Sequence, residues 1–478
     1  MKYLPLLLLL LPCTLSLSSP PLPPLSPPTP TQLKHANNLL EYIAASPDPY
    51  HCTATSVKIL VNHGFQPLDE SRPFDLKPNG RYYYTREKIL GSSLVAFIVP
   101  PSCKVSSGLK ILGAHTDSPN LRVRPLPSLT SEKLSQVSVE TYGGGLWHTW
   151  FDRDLSLCGK VITRGADDSL KQHLVNLKRP LLKIPNLAIH LQTPDERAAF
   201  IVNKEDHLQP IIATATKENL PDIPSLLAAA LNVNASAIVD FDLSLFDTQE
   251  GLLTGANSDF ISASRLDNQA SCYMALTALV DHADSDFYAA ADDQISLVAL
   301  FDHEEVGSAS TVGAGGTLIE DAFNRIAASL GAATPDLLAL TARNSFIISL
   351  DQAHASHPNY KHKHEKHHRP RLNEGLVIKT NNNQRDASTG TTSFVVREIG
   401  RKVNMDVQEF VVRNDCVCGS TIGPIISAKT GVRAVDIGAP QFAMHSIRET
   451  MGSKDVMNGV ELLSAFFGEF KAIDTALN

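Results

Sequence analysis

Apolar residues along this chain change their rhythm twice, and the changes mark out its parts. From Gln32 to about His63 they recur at helical spacing, as in Leu39, Leu40, Ile43 and then Val57, Leu60, Val61, which predicts two opening helices. Runs with no polar face come next, SLVAFIVP and LKILGAH, and later ISLVALFDHEE, SFIISLD and VRAVDIG; such runs are the mark of strands buried on both faces. Helical stretches, DNQASCYMALTALVDH and the segment from Asp455 to Phe470, separate them. The alternation predicts an α/β fold, a mixed central sheet with helices on both faces.

Between about Asn120 and Gly255 the texture shifts to short alternating runs broken by Gly and Pro, including VSVETYGGGLWHTW, GKVITR and LAIHLQ. We therefore expect a discontinuous domain of residues 32–119 and 255–478, interrupted by a β-rich insertion at 120–254. Ahead of both lies MKYLPLLLLLLPCTLSLSS, one Lys before an apolar run that ends in small residues, which reads as a secretory signal over residues 1–18. The Pro-rich stretch at 19–31 predicts an extended tether. The apolar run is shorter than the roughly 20 residues needed to cross a bilayer, so no membrane span is expected after signal removal.

With 478 residues, 43% hydrophobic and 19% charged, the chain can build two or three domains. A net charge of −8 excludes a global basic field, and with it a nucleic-acid partner. Six cysteines remain after Cys13 leaves with the signal, too scattered for a disulfide scaffold. Asn234-Ala-Ser is the single N-glycosylation sequon, usable only if exposed.

Candidate chemistry gathers where apolar strands end. GAHTDSP sets His115 and Asp117 two apart, on one side of an extended chain, so His115 can bind a metal while Asp117 orients its other ring nitrogen. SRLDNQ puts Asp267 at the start of a helix, where a capping role is the plain alternative. FDHEEVGS follows a buried strand with Glu304 and Glu305; if Glu305 binds metal, Glu304 stays free to take a proton from an activated water. SLDQAH adds Asp351 and His354, and FAMHSIRET adds His445. Nitrogen and oxygen ligands of this kind suit a pair of zinc ions.

These segments resemble, in order, the aspartyl aminopeptidase and vacuolar aminopeptidase I family of zinc peptidases. The blocks are GAHTDSPNLRVRP, ETYGGGLWHTWFDRDLSLCGKV, RPLLKIPNLAIHLQ, RLDNQASC, DHEEVGS, DQAHASHPNY, VRNDCVCGSTIGPI and AMHSIRE, spread from about Gln32 to Phe470. The resemblance implies two zinc ions per subunit, one on His115 and Asp351, the other on Glu305 and His445, bridged by Asp267. It implies Glu304 as general base, His354 and Lys379 against the substrate, and His190 reaching a neighbouring subunit's active site. It also implies release of N-terminal Asp or Glu from peptides with a free N-terminus, and a twelve-subunit shell of dimers with the insertion as dimerisation domain. A catalytically silent, shell-forming or peptide-binding relative is the alternative.

The chain departs from that family in two places. Members are mostly cytosolic or vacuolar, whereas this leader predicts secretion, with a vacuolar or lysosomal lumen or the cytoplasm as alternatives. In VIKTNNNQRDAST, Asp386 stands where the family commonly has tyrosine. An ionised Asp accepts hydrogen bonds but cannot donate one. Beside Lys379 it should weaken the acidic preference and admit neutral N-terminal residues. Three further features are read as structural: the His-rich KHKHEKHHRP at 361–370 as a solvated loop, Gly143–Gly145 as turn geometry, and Asp152, Arg153 and Asp154 as an ion-pair network.

Overall fold

The computed structural model describes residues 26–87, 89–215, 222–285, 292–331 and 334–477. The expected signal at 1–18 and most of the Pro-rich tether lie outside them. The first helix, Pro30–Ala45, starts inside the stretch expected to be tether. Thr29 caps it in a reciprocal pair with Gln32, and Pro30 takes the first turn, where a missing N–H costs nothing. The helix buries Ala36, Leu39, Tyr42 and Ile43.

Nine strands form the central sheet, in the order Gln66–Pro67, Arg81–Arg86, Ser93–Ile98, Ile295–Phe301, Leu109–His115, Phe346–Leu350, Arg433–Gly438, Val377–Thr380, Gln408–Val411. The four at its centre, from Ile295–Phe301 to Arg433–Gly438, are parallel, and antiparallel neighbours flank them. Every residue of Leu109–His115, Ile295–Phe301 and Phe346–Leu350 is buried, which is why their sequences lack alternation. Helices Leu266–Ala283, Gly390–Lys402 and Asp455–Leu477 pack one apolar layer with the opening helices; Leu318–Ser329 and Ile422–Thr430 pack the other. The fold is a mixed α/β sandwich.

Residues 120–247 build something more specific than a β-rich insertion. Strands Asn120–Ser131, Leu134–Tyr142, Ile211–Thr214, Leu182–Lys183, Asp154–Arg164 and Ile238–Asp247 pair in a ring, because Ile238–Asp247 bonds both Asn120–Ser131 and Asp154–Arg164. Closure removes exposed edges, and Leu170–Asn176 adds to the outside of one wall. Gly159, at φ +151, allows the close approach: a Cβ there would lie 2.0 Å from the Asp242 carbonyl oxygen. The LAIHLQ run, read as strand-like, is instead an exposed single turn, Ile189–Leu191, between Pro185 and Pro194.

A third sheet of five short strands, Leu252–Thr254, Phe260–Ala263, Glu449–Gly452, Pro440–Phe442 and Ala353–His354, is not foreshadowed by the apolar pattern. It ties the chain before Asp267 to the loop that carries His445. No helix among the described residues is long and apolar enough to cross a membrane. All six cysteines after residue 13 are unpaired.

Candidate metal centre

The parallel strands deliver their C-terminal ends to one crevice, where α/β sheets hold ligands. His115 closes the strand Leu109–His115, and Asp351 follows Phe346–Leu350. Glu304 and Glu305 sit on the single turn after Ile295–Phe301. Asp267 and Asn268 precede the helical part of Leu266–Ala283 and lie outside helical φ/ψ; the Asp267 carboxylate faces His115 and His445 instead of capping the helix. His445, at φ +65, projects from the loop after Pro440–Phe442.

Five of the predicted side chains converge about Asp267. Its Oδ1 lies 3.4 Å from His115 Nε2, and its Oδ2 lies 3.6 Å from His445 Nε2. Asp351 Oδ1 is 3.8 Å from His115 Nε2, and Glu305 Oε1 is 3.4 Å from His445 Nε2. The trios His115, Asp267, Asp351 and Asp267, Glu305, His445 each bring one ligand atom per residue within 4.8 Å of one another. Glu304 Oε2 stands 3.9 Å from His115 Nε2.

Charge in this cluster is poorly balanced without a cation. Burial pushes the Glu304 carboxyl up to about 8, with Asp351, Asp117 and Asp267 adding to the rise. Burial and Asp267 likewise hold Glu305 well above the carboxylate range. Although burial opposes their charge, neighbouring carboxylates raise His445 to about 10 and His115 well above its ordinary value. Asp267 Oδ1 is buried with no hydrogen-bond partner. A buried carboxylate set between two imidazoles, with one oxygen lacking a hydrogen-bond partner, fits a divalent cation, and the oxygen and nitrogen donors fit zinc.

Outer contacts fix the ligands. His115 Nδ1 is 3.0 Å from the main-chain carbonyl of Asp117 and 3.3 Å from its carboxylate. The carboxylate expected to orient His115 is largely occupied elsewhere: it accepts the main-chain N–H of Glu304 at 3.1 Å and of Glu305 at 3.0 Å, and the Tyr142 hydroxyl at 2.7 Å. Asp117 therefore sets the turn that aims the two glutamates. Sequence reasoning passed over two comparable groups. Gly144 presents its carbonyl to His445 Nδ1 at 3.1 Å. Glu449, buried, accepts the N–H of Asp267 at 2.9 Å on one oxygen and that of His445 at 2.7 Å on the other. Its place four residues after His445 was visible, but nothing local linked it to Asp267.

A cavity of about 300 Å3 opens onto the cluster, lined also by His354, Lys379, Asp386, Phe410, Cys418 and Met444. His354 meets Phe410 edge to face, and burial and Lys379 keep its imidazole pKa low. Lys379 Nζ is 3.3 Å from Asp351 Oδ2; burial opposes its charge, but Asp351, Asp386 and Asp436 overcome this and raise its pKa. Asp386 is 5% exposed and faces this cavity, not solvent. His190 is not among the lining residues: it is exposed on the turn Ile189–Leu191. Nor do Asp152, Arg153 and Asp154 pair with one another. They bond Asn186, Asp247 with Gln249, and Lys183 respectively. The His-rich loop gathers no metal cluster among the described residues.

A crevice of this kind, walled by two trios sharing one aspartate, belongs to metal-dependent hydrolases. Residues 42–467 match the aminopeptidase I zinc metalloprotease family (M18), and the chain belongs to that family. It is 43% identical to an aspartyl aminopeptidase of Dictyostelium discoideum, across 92% of this chain and 98% of that one. A probable aspartyl aminopeptidase of Ricinus communis is 39% identical, across 92% and 96%. Among solved structures, a chain in the cryo-EM structure of the Ape4 and Nbr1 complex superposes with TM-score 0.90 at 36% identity, covering 95% of this chain and 90% of that one. The crystal structure of prApe1 gives 0.87 at 30%, with 93% and 96% covered.

Proposed function

We propose that this chain is a two-zinc aminopeptidase that releases N-terminal residues from peptides with a free N-terminus. The observation that carries the reading is Asp267, whose two oxygens face His115 and His445 separately, each with a further carboxylate alongside. His115 and Asp351 would hold one ion, Glu305 and His445 the other, and Asp267 both. When bound, such ions lower the pKa of water and polarise the scissile carbonyl. Glu304 takes a proton from the attacking water and returns it to the departing amine. His354 and Lys379 contact the substrate from the cavity wall. Acidic N-terminal residues are favoured through Lys379, and Asp386 moderates that preference so that neutral ones are also cleaved. Glu304→Gln should retain metal and fold and lose about 10²-fold or more in turnover on aminoacyl substrates. A metal-replete variant with wild-type turnover would remove Glu304 from this role.

We also propose that 32–119 and 255–478 form the catalytic unit, that 120–254 is a dimerisation domain, and that dimers assemble into a dodecamer. The exposed apolar residues Leu187, Ile189, Leu191 and Ile201 around His190 support the second statement, since such a patch favours association. One solved relative, covered over 94% of this chain at TM-score 0.81, is a dodecamer of S. cerevesiae mApe1. His190 would then act in a neighbour's site. Co-assembling His190→Ala chains with Glu304→Gln chains should recover activity, because one composite site would be intact; no recovery would place His190 outside catalysis in trans. The N-terminal leader supports entry into the secretory pathway.

A further inference from the structure

We infer that Asn234 is an N-linked glycosylation site of the mature protein, an inference that rests on the secretory routing proposed above. The sequon Asn234-Ala235-Ser236 falls between helix Ile223–Leu231 and strand Ile238–Asp247, on the outer surface of the barrel. Asn234 and Ser236 are both exposed. Asn234 is extended, at φ −72 and ψ 145, and its side chain makes no capping hydrogen bond to the turn Ala235–Ala237 that follows. Only its main-chain carbonyl is engaged, by the Ala237 N–H at 2.9 Å.

That arrangement meets the two demands a glycan makes. The amide must reach the transferase with its sequon hydroxyl beside it, and the fold must then accommodate a bulky polar group added while the chain is entering the lumen. In the reaction, Asn234 Nδ2 attacks the anomeric carbon of a polyisoprenyl-pyrophosphate-linked oligosaccharide. A C–N bond forms, the C–O bond to pyrophosphate breaks, the amide gives up one proton and the lipid pyrophosphate leaves. On the folded single chain the glycan stands in solvent. The preceding helix buries Ile223 and Leu227 in the barrel core, to which neither Asn234 nor Ser236 belongs, so core packing is untouched. None of residues 232–239 lines the catalytic cavity, so substrate access is untouched as well. Val233 and Val239, both partly exposed beside the sequon, would be shielded by it.

The test is translation of the full chain with endoplasmic-reticulum microsomes, followed by protease protection, endoglycosidase digestion and mass spectrometry of the peptide carrying residue 234. The expected result is a protease-protected chain whose added mass is removed by the endoglycosidase and is absent in both Asn234→Gln and Ser236→Ala. A protected chain with an unmodified Asn234 would overturn the inference and leave the routing standing. A chain that stays outside the microsomes would overturn both. A parallel form with residues 1–18 replaced by an established secretory leader separates the two failures. It enters regardless, and an unmodified Asn234 there shows that the sequon itself is refused.

Discussion

Replacing Asp386 with asparagine should stabilise the protein, and should do so only where the aspartate is ionised in the unfolded chain. The carboxyl is 5% exposed, and burial lifts it to about 6 from an ordinary 3.8, with Asp436 and Asp351 adding to the rise and Lys379 opposing it. The unfolded chain therefore releases this proton at lower pH than the folded one. Between those values the folded state binds more protons, so stability falls as pH rises and remains lower above the window. A displacement of about two pH units corresponds to about 3 kcal/mol at pH 8, an upper figure, and to roughly half of that at pH 5. Asn keeps the shape, carries no charge at either pH, and leaves Lys379 its partner Asp351 at 3.3 Å. Urea denaturation of both proteins at matched metal loading measures the gap. Selectivity should move with it: the ratio of kcat/KM for Asp- over Leu-aminoacyl substrates should rise about tenfold in the variant at pH 8, as like charge is removed. A variant no more stable than wild type at pH 8, with a gap independent of pH, would show that the carboxyl pays no burial cost and would refute the placement of its charge in the pocket.

Two further substitutions probe the metal reading. Asp267→Asn keeps one acceptor oxygen where two are needed, so metal content should fall together with turnover; two ions per chain in the variant, by elemental analysis, would exclude a shared ligand. Glu449→Gln puts an amide NH2 against the main-chain N–H of either Asp267 or His445 and should weaken metal affinity about 10–100-fold while the chain stays folded. Chelator competition measures this, and unchanged affinity would confine Glu449 to a packing role.

The sequence disclosed the central sheet because strands buried on both faces leave unbroken apolar runs, and it disclosed His115, Glu304, Glu305 and Asp351 because they end or closely follow such runs. Asp267 and His445 were harder to read. Their geometry depends on non-helical backbone and on a positive φ, neither of which has a clear residue signature here. Closure of the barrel and the five-stranded sheet were not legible, since both rest on pairing between distant segments whose short strands carry little periodicity. Asp117 was legible as a neighbour of the His115 ring, 3.3 Å away, but its bonds to the N–H groups of Glu304 and Glu305, on a turn far along the chain, were not. Glu449 escaped notice because a buried acid holding two main-chain N–H groups looks, in sequence, like any polar residue in a strand.

The proposed ligands are strung from position 115 to position 445, and each is correctly placed only by a sheet whose strands interleave along the chain. A growing polypeptide therefore has no finished ion-binding site until almost its whole length has been made and the last short strands have closed. Ion uptake would be among the final events of maturation, and ion affinity would act as a test that the entire architecture must pass. The same coupling means that a bound ion resists unfolding of the whole catalytic unit, so that scarcity of metal should shorten the protein's lifetime as well as lower its rate.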